Sequence, residues 1–234
     1  VALDSISDND HTLEVKAVDI YGVESEIVSR TFWVSKKEPV STLVSPDLTE
    51  TVKEIVILSG EAFDENGIRE VSVSLDNGIT FNKTRGREKW SYRADSRILG
   101  DGVNSVIIKA VDNLGTEGVS ASIITIDNTP PSITLDRPGD GELFTLSVPL
   151  EGRISDDLSL SSINLEIIKL SETKEEESTL RVMELPITSL LLETLDSSDL
   201  TPGWYNLRFT ALDKAGNSTT LSRNLILEEE HSLA

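Results

Sequence analysis

Aspartate and asparagine side chains collect in the predicted turns of this chain, and their type and spacing suit metal chemistry. Calcium takes six to eight oxygen ligands, which carboxylates and amides from neighbouring turns can supply. A calcium site is therefore one hypothesis for these turns, and calcium is the one possible cofactor that the sequence indicates. The candidate ligands are Asp64, Asp112, Asp127, Asn128, Asp156 and Asp157. The spacing is not that of an EF-hand, and turns favour Asp and Asn without any metal, so both interpretations stay open.

Other catalytic chemistry has few residues to work with. The 234 residues include no cysteine and two histidines, His11 and His231. Disulfides, zinc–thiolate sites and thiol nucleophiles are thereby excluded. A glycosidase carboxylate pair needs a sugar-sized cleft and one raised pKa, which small sandwiches with their acids in turns rarely provide. We expect a protein that is not an enzyme.

Aromatic side chains offer a second kind of site, because indole and phenol rings stack on sugars. Trp204 and Tyr205 are the candidate ligand residues. Adjacent residues of a strand point to opposite faces, so only one of the two can belong to the core. The competing interpretation is that both are core or rim residues.

The charge balance limits the partners. Asp and Glu number 41 against 21 Lys and Arg, which gives a formal net charge of −20. Nucleic acids and anionic membranes need a basic surface, so we expect neither as a partner. No apolar run approaches the ~20 residues of a membrane span, which predicts no direct membrane insertion. The acidic run at 172–177 is either a contact for a basic partner or a solvated hairpin tip that discourages edge pairing.

Internal repeats predict the elements that position these residues. The segments 13–22, 106–115 and 207–216 share alternating apolar residues, then Ala, an apolar residue, Asp, two residues and Gly. This is a strand that runs into a turn. A second pattern relates 58–64 to 150–156 with an offset of 92. The last repeat carries extra residues that predict a β-hairpin with an enlarged acidic tip.

These repeats predict an all-β fold of tandem immunoglobulin-like β-sandwiches, each of about seven short strands. In the first complete repeat the strands are expected near 40–44, 54–59, 69–75, 79–82, 89–93, 104–111 and 119–126. The segment 189–195 is ambiguous between strand and short helix, and we favour strand. Pro130–Pro131 predicts a short, semi-rigid linker. The predicted domains are 1–37 (the C-terminal strands of a truncated repeat), 38–128, 129–230 with the acidic hairpin, and a tail at 231–234.

Three segments carry a resemblance to a known family. Residues 203–218 resemble the F–G region of bacterial immunoglobulin-like and fibronectin type III-like repeats, with Tyr205 where those folds often keep a tyrosine. Residues 59–78 are similar to their B–C region, and 127–131 to their interdomain junction. The resemblance implies an extracellular, cell-surface or periplasmic location and neighbouring repeats in the same longer chain. The opening residues VALDSIS also lead us to expect a piece of a longer protein.

The resemblance also implies a role. We expect a non-catalytic stalk or adhesion module of a bacterial cell-surface or secreted protein, which presents or spaces a region that binds a protein or glycan ligand. One alternative is an accessory carbohydrate-binding module of a secreted glycan-active enzyme. Another is a structural subunit of an envelope assembly, with edge strands or the acidic hairpin as its contact surface.

Overall fold

The computed structural model describes residues 6–145, 147–171, 176–187, 190–196 and 198–228. The predicted acidic tip (largely 172–175) and the tail at 231–234, with His231, lie outside the described residues. The strands are β1 (Asn9–Val15), β2 (Val28–Val34), β3 (Val40–Ser45), β4 (Thr51–Val52), β5 (Ile55–Phe63), β6 (Ile68–Ser74), β7 (Asn82–Lys83), β8 (Arg85–Gly86), β9 (Lys89–Asp95), β10 (Gly102–Asp112), β11 (Glu117–Ile126), β12 (Ser132–Arg137), β13 (Glu142–Phe144), β14 (Ser147–Ser155), β15 (Leu160–Leu170), β16 (Glu176–Glu184), β17 (Leu190–Asp196), β18 (Gly203–Asp213) and β19 (Ser218–Leu227).

The strands form two immunoglobulin-like sandwiches in tandem, as the sequence predicts. The first sandwich has sheets in the order β3-β5-β9-β8 and β4-β11-β10-β6-β7, and the second has β12-β14-β17 and β13-β19-β18-β15-β16. In both, the hairpin of the last two strands pairs on one side with β6 or β15, and its last strand pairs in parallel with the short strand β4 or β13. β1 and β2 form a separate two-stranded sheet.

The period-2 pattern of the sequence places the core. In β18 the alternate residues Tyr205, Leu207, Phe209 and Ala211 are fully buried, and in β10 Val106, Ile108 and Ala110 are. The core of the second sandwich draws on both of its sheets, since Leu150 and Ile154 of β14 belong to the same cluster as the β18 residues.

The turn in the shared pattern has the same structure in all three copies. The backbone N–H of Asp19, Asp112 and Asp213 donates to the carbonyl four residues later, at 3.0 Å in each case. The Oδ1 atom of each aspartate accepts the N–H of that later residue in return. The aspartate closes the turn, and the following glycine has positive φ, as predicted.

The contacts of the chain define two compact units. Unit 1 comprises the residues up to Asp47, Ile57–Ala94 and Ser105–Ile123, and unit 2 comprises Leu48–Val56, Asp95–Asn104 and the residues from Ile124 onward. The domain boundaries at 37/38 and 128/129 stay a prediction. In unit 1 the β1–β2 hairpin leaves Leu13, Val15, Val28 and Trp33 about half exposed.

Two local predictions can be compared with the strands. The segment 190–196 is a strand, as favoured, and β15 and β16 form the predicted hairpin. The strand predicted at 79–82 was wrong over most of its length: Ile79 and Thr80 lie in a loop, because Asp76 accepts hydrogen bonds from both the backbone N–H and the hydroxyl of Thr80. Among the described residues, no helical segment has the length and apolar character that crossing a lipid bilayer requires.

Candidate metal centre

Five aspartates gather in unit 2. Asp127 directly follows β11, Asp156 and Asp157 follow β14, Asp213 is the last residue of β18, and Asp101 stands just before β10. Each lies where a strand meets a turn, because the sheet pattern ends there and the carboxylate can cap free backbone N–H groups.

The carboxylates form two overlapping triads. One oxygen each from Asp127, Asp156 and Asp213 lie within 4.8 Å of one another, and the same holds for Asp101, Asp127 and Asp157. Asp127 belongs to both triads. Among the described residues, no lysine or arginine forms an ion pair with any of the five. The cluster therefore concentrates negative charge without an internal counter-ion.

Asp127 is the least satisfied member of this cluster. Its side chain is 1% exposed, and Oδ2 accepts no hydrogen bond from any described residue. Oδ1 accepts the backbone N–H of Thr129 at 3.2 Å. Burial raises the pKa of Asp127 to about 6, and the negative charges of Asp213, Asp156 and Asp157 add to that increase. A buried, unpaired carboxylate beside like charges is unfavourable unless a proton or a cation neutralises it.

Hydrogen bonds from turns hold the other two carboxylates of the first triad. Asp213 accepts the backbone N–H of Asn217 at 2.8 Å and its side-chain amide at 2.7 Å, and the same amide donates to the Asp127 carbonyl at 2.9 Å. Asp156 Oδ1 accepts the N–H of Ser159 at 2.7 Å, while its Oδ2 is buried without a partner among the described atoms. The turns thus fix the carboxylates, and Oδ2 of both Asp127 and Asp156 is left for a ligand.

Asp101 ties the linker to the same cluster. Its Oδ1 accepts the backbone N–H of Asn128 at 2.8 Å, and its Oδ2 accepts the Thr129 hydroxyl at 2.5 Å. Burial raises the pKa of Asp101, but the hydrogen bonds from Thr129 and Asn128 outweigh that effect and leave it lowered. Asn128, a predicted ligand, accepts the Glu54 N–H at 2.8 Å with its own Oδ1, so this oxygen is already used in holding the linker.

The remaining predicted ligands lie elsewhere. Asp64 and Asp112 are buried in unit 1, each with Oδ1 in its turn and Oδ2 without a hydrogen bond from the described residues. The structure therefore brings together three of the six predicted residues, Asp127, Asp156 and Asp157. It adds Asp213 and Asp101, which the sequence reasoning missed. The repeat contained a signal for Asp213, since it occupies the position of Asp112.

The donor set fits a hard divalent cation. All the available ligand atoms are oxygens, and the carboxylates carry more negative charge than one Ca²⁺ neutralises. The two triads overlap at one buried residue, so a cation there would replace the proton that Asp127 otherwise binds near pH 6.

The aromatic candidates differ in their surroundings. Tyr205 is fully buried, and its hydroxyl donates to the Thr201 carbonyl at 2.6 Å. This is the tyrosine corner of immunoglobulin-like folds, in which the hydroxyl bonds to the backbone a few residues upstream. Trp204, on the opposite face of β18, is partly exposed. A stacking hypothesis therefore concerns Trp204, because a buried ring offers no face to a sugar.

Comparisons with known proteins gave structural likeness alone. No family model and no curated protein matches the sequence. The structure is similar to fibronectin(III)-like modules of Clostridium thermocellum CbhA, at 13% identity and a TM-score of 0.44, over 83% of this chain and 99% of that chain. It is also similar to a 1.5-MDa bacterial ice-binding adhesin, at 16% identity and a TM-score of 0.45, over 97% and 77%. A tetra-tandem repeat from the extending region of a large adhesion protein matches at 20% identity and a TM-score of 0.38, over 97% and 59%.

Proposed function

We propose that this chain is a non-catalytic spacer module of a bacterial cell-surface or secreted protein, and that calcium stiffens its linker at Asp127. The observation that carries the proposal is the buried Asp127 carboxylate, of which Oδ2 accepts no hydrogen bond from the described residues and which lies near four other carboxylates. Extracellular calcium modules bind with dissociation constants of about 10⁻⁴–10⁻³ M, so such a site is filled where calcium is millimolar.

The position of the cluster supports a spacer role. Asp127 is the first residue of the segment 127–131, which continues into Pro130 and Pro131. The prolines restrict φ at two successive positions, and the residue before each proline is biased to extended geometry. A cation held by Asp127 together with Asp156 and Asp213 would tie this segment to two turns of unit 2. The cation would then restrict the backbone torsions of 127–131 that the two prolines do not fix.

The surroundings of the carboxylates support a non-catalytic role. Asp127 has the raised pKa that a general acid needs, but a side chain that is 1% exposed cannot reach a sugar. A cavity of about 380 Å³ is lined by Leu143, Phe144, Thr145, Ser147 and Glu228. One carboxylate among these lining residues does not make an acid–base pair.

Thermal unfolding with and without calcium tests the metal. A site saturated at about 100 times its dissociation constant adds roughly 2.7 kcal/mol to the free energy of unfolding. For a protein of this size we expect a rise of about 5–10 °C in Tm. Asp213→Asn removes one ligand charge while Asn Oδ1 can still close the turn, and should abolish most of the rise. Asp19→Asn changes the same turn in the β1–β2 hairpin, away from the cluster, and is the matched control.

Pulsed electron–electron double resonance tests whether calcium stiffens the linker. Spin labels are placed at exposed positions of β12 and β8, and the distribution of distances between them is measured. We expect calcium to narrow the distance distribution in the wild type and to leave it unchanged in Asp213→Asn. A Tm that calcium does not raise would overturn the metal role. A rise in Tm without any narrowing would overturn the spacer role and leave a metal that only stabilises the fold.

A further inference from the structure

Unit 1 repeats most positions of the acidic cluster of unit 2. Asp101 binds the backbone N–H of Asn128 at 2.8 Å, and Asp8 binds the backbone N–H of Lys36 in the same way at 3.0 Å. The pairs correspond, because each aspartate stands before the penultimate strand of its repeat and each N–H follows the last strand. Ser35 therefore takes the position of Asp127.

The two turns of the cluster are also repeated. Asp64 and Glu65 correspond to Asp156 and Asp157 at the offset of 92, and Asp112 corresponds to Asp213 through the shared turn. The turns meet by the same backbone bond in both units, from Asn113 N–H to the Gly67 carbonyl and from Lys214 N–H to the Ser159 carbonyl, each at 3.2 Å. Because the strand ends and this bond match, we expect the Asp64 and Asp112 carboxylates to lie near one another, as those of Asp156 and Asp213 do.

Four buried polar atoms of unit 1 that receive no hydrogen bond from the described residues belong to these two turns and to the residue after β2. Asp64 is 6% exposed and Asp112 is 0% exposed, and Oδ2 of each is without a hydrogen bond from the described residues. The Ser35 hydroxyl and the Asn66 side-chain amide are also buried without a hydrogen bond from the described residues. Rotation of the Asn66 amide by 180° would present an oxygen where its NH₂ group now lacks a partner among the described residues. Buried polar atoms that lack partners point to a missing ligand.

We infer that unit 1 holds a second calcium site, formed by Ser35, Asp64 and Asp112 with Asn66, Glu65 and Asp8 around them. This inference rests on the calcium role proposed for unit 2. The second site is the weaker one, because a serine replaces the central carboxylate and Lys36 replaces Asn128. We expect its dissociation constant to exceed that of the unit 2 site by about tenfold or more. The chain then responds to calcium in two steps.

Residue-resolved NMR separates the two sites in the intact chain. The Thr116 N–H donates to Asp112 Oδ1 at 2.6 Å, and the Asn217 N–H donates to Asp213 Oδ1 at 2.8 Å, so each amide reports on its own carboxylate. Calcium is added at constant ionic strength to about 10 mM, above the range expected for extracellular modules. The chemical shift of the Asn217 amide should saturate at the lower calcium concentration. That of the Thr116 amide should follow a separate titration curve with a higher dissociation constant.

Variants decide which site each curve describes. Asp112→Asn should abolish the Thr116 curve and leave that of Asn217, and Asp213→Asn should do the reverse. Ser35→Asp restores the missing carboxylate and should tighten the Thr116 curve by about tenfold or more. Its matched control is Ser29→Asp, at an exposed position of β2. Because this test gains binding, it does not depend on a variant that loses stability.

The outcomes distinguish the two proposals. A single curve at Asn217, with Thr116 unmoved in both the wild type and Ser35→Asp, overturns the second site and leaves the proposed function intact. A single curve at Thr116 overturns the unit 2 site and supports unit 1 alone. Shifts that are equal in Asp112→Asn and the wild type mean general charge screening, which overturns the second site.

Discussion

Protonation of Asp127 should stabilise the calcium-free protein as the pH falls from 7 to 5. Burial, and then the charges of Asp213, Asp156 and Asp157, raise the pKa of Asp127 in the folded state to about 6. In the unfolded chain it returns to about 3.9. The folded state therefore binds the proton more tightly, so the free energy of unfolding is highest below about pH 4 and falls as the pH rises through about 6.

The size of this effect follows from the two pKa values. With one group at about 6 folded and about 3.9 unfolded, the free energy of unfolding at pH 5 exceeds that at pH 7 by about 1.3 kcal/mol. For a protein of this size that is a Tm higher by about 3–5 °C at pH 5. The carboxylates whose pKa is lowered, such as Glu70 and Glu142, lose their contribution only nearer pH 4. The window from pH 7 to 5 therefore isolates Asp127.

Thermal or urea unfolding in calcium-depleted buffers at pH 5, 6 and 7 measures the effect. Asp127→Asn removes the titrating group but keeps the size of the side chain, so its unfolding should be nearly independent of pH in this window. With calcium present the wild-type trend should reverse, since protons then compete with the cation below pH 6. A wild-type Tm that is flat or falls towards pH 5 without calcium, or an Asp127→Asn profile with the wild-type slope, would refute the reasoning.

Three further predictions concern the fold. Gly152→Ala should lower the free energy of unfolding by more than about 2 kcal/mol, because the added Cβ would lie 2.2 Å from the Thr134 carbonyl oxygen. The control is Gly100→Ala, whose added Cβ meets nothing within 4 Å; equal losses for the two variants in urea unfolding would contradict the prediction. Tyr205→Phe should cost about 1–2 kcal/mol in the same assay, because it leaves the Thr201 carbonyl without its donor; an unchanged midpoint would mean that water replaces the hydroxyl. Deletion of residues 1–37 should change the sedimentation coefficient beyond the loss of mass, because the β1–β2 hairpin exposes an apolar face; sedimentation that changes only with mass would show that this face does not associate.

The fold could be predicted because its signals are local and repeated. The alternation that ends in Ala, Asp and Gly specifies a strand, its buried face and its turn in one segment of ten residues. Three copies of that segment then give the spacing of the sandwiches. The error at 79–82 has the opposite origin. Ile79 and Phe81 alternate with polar residues, as in a strand. The Asp76 carboxylate instead accepts hydrogen bonds from the backbone N–H and the hydroxyl of Thr80, which holds this segment in a loop.

The site could be predicted only in part, because its members come together through the sheets and not along the chain. Asp127, Asp156 and Asp157 stood out as acids at a linker and a turn. Asp101 lies 26 residues before Asp127, and only the pairing of β10 with the end of β11 brings it back to the linker. A sequence read without its register cannot supply that contact.

Turn capping and metal binding both favour aspartate, so the residue type alone does not distinguish them. Asp19, Asp112 and Asp213 all use Oδ1 to close the same turn, and the sequence around them is alike for that reason. What separates a capping aspartate from a ligand is its second oxygen. In Asp112 that oxygen is buried without a hydrogen bond from the part of the chain that the structure describes, whereas Asp19 is exposed to solvent. The difference depends on whether neighbouring strands cover the turn, so the same ten-residue segment can end in a solvent-exposed turn or in one whose second carboxylate oxygen is buried.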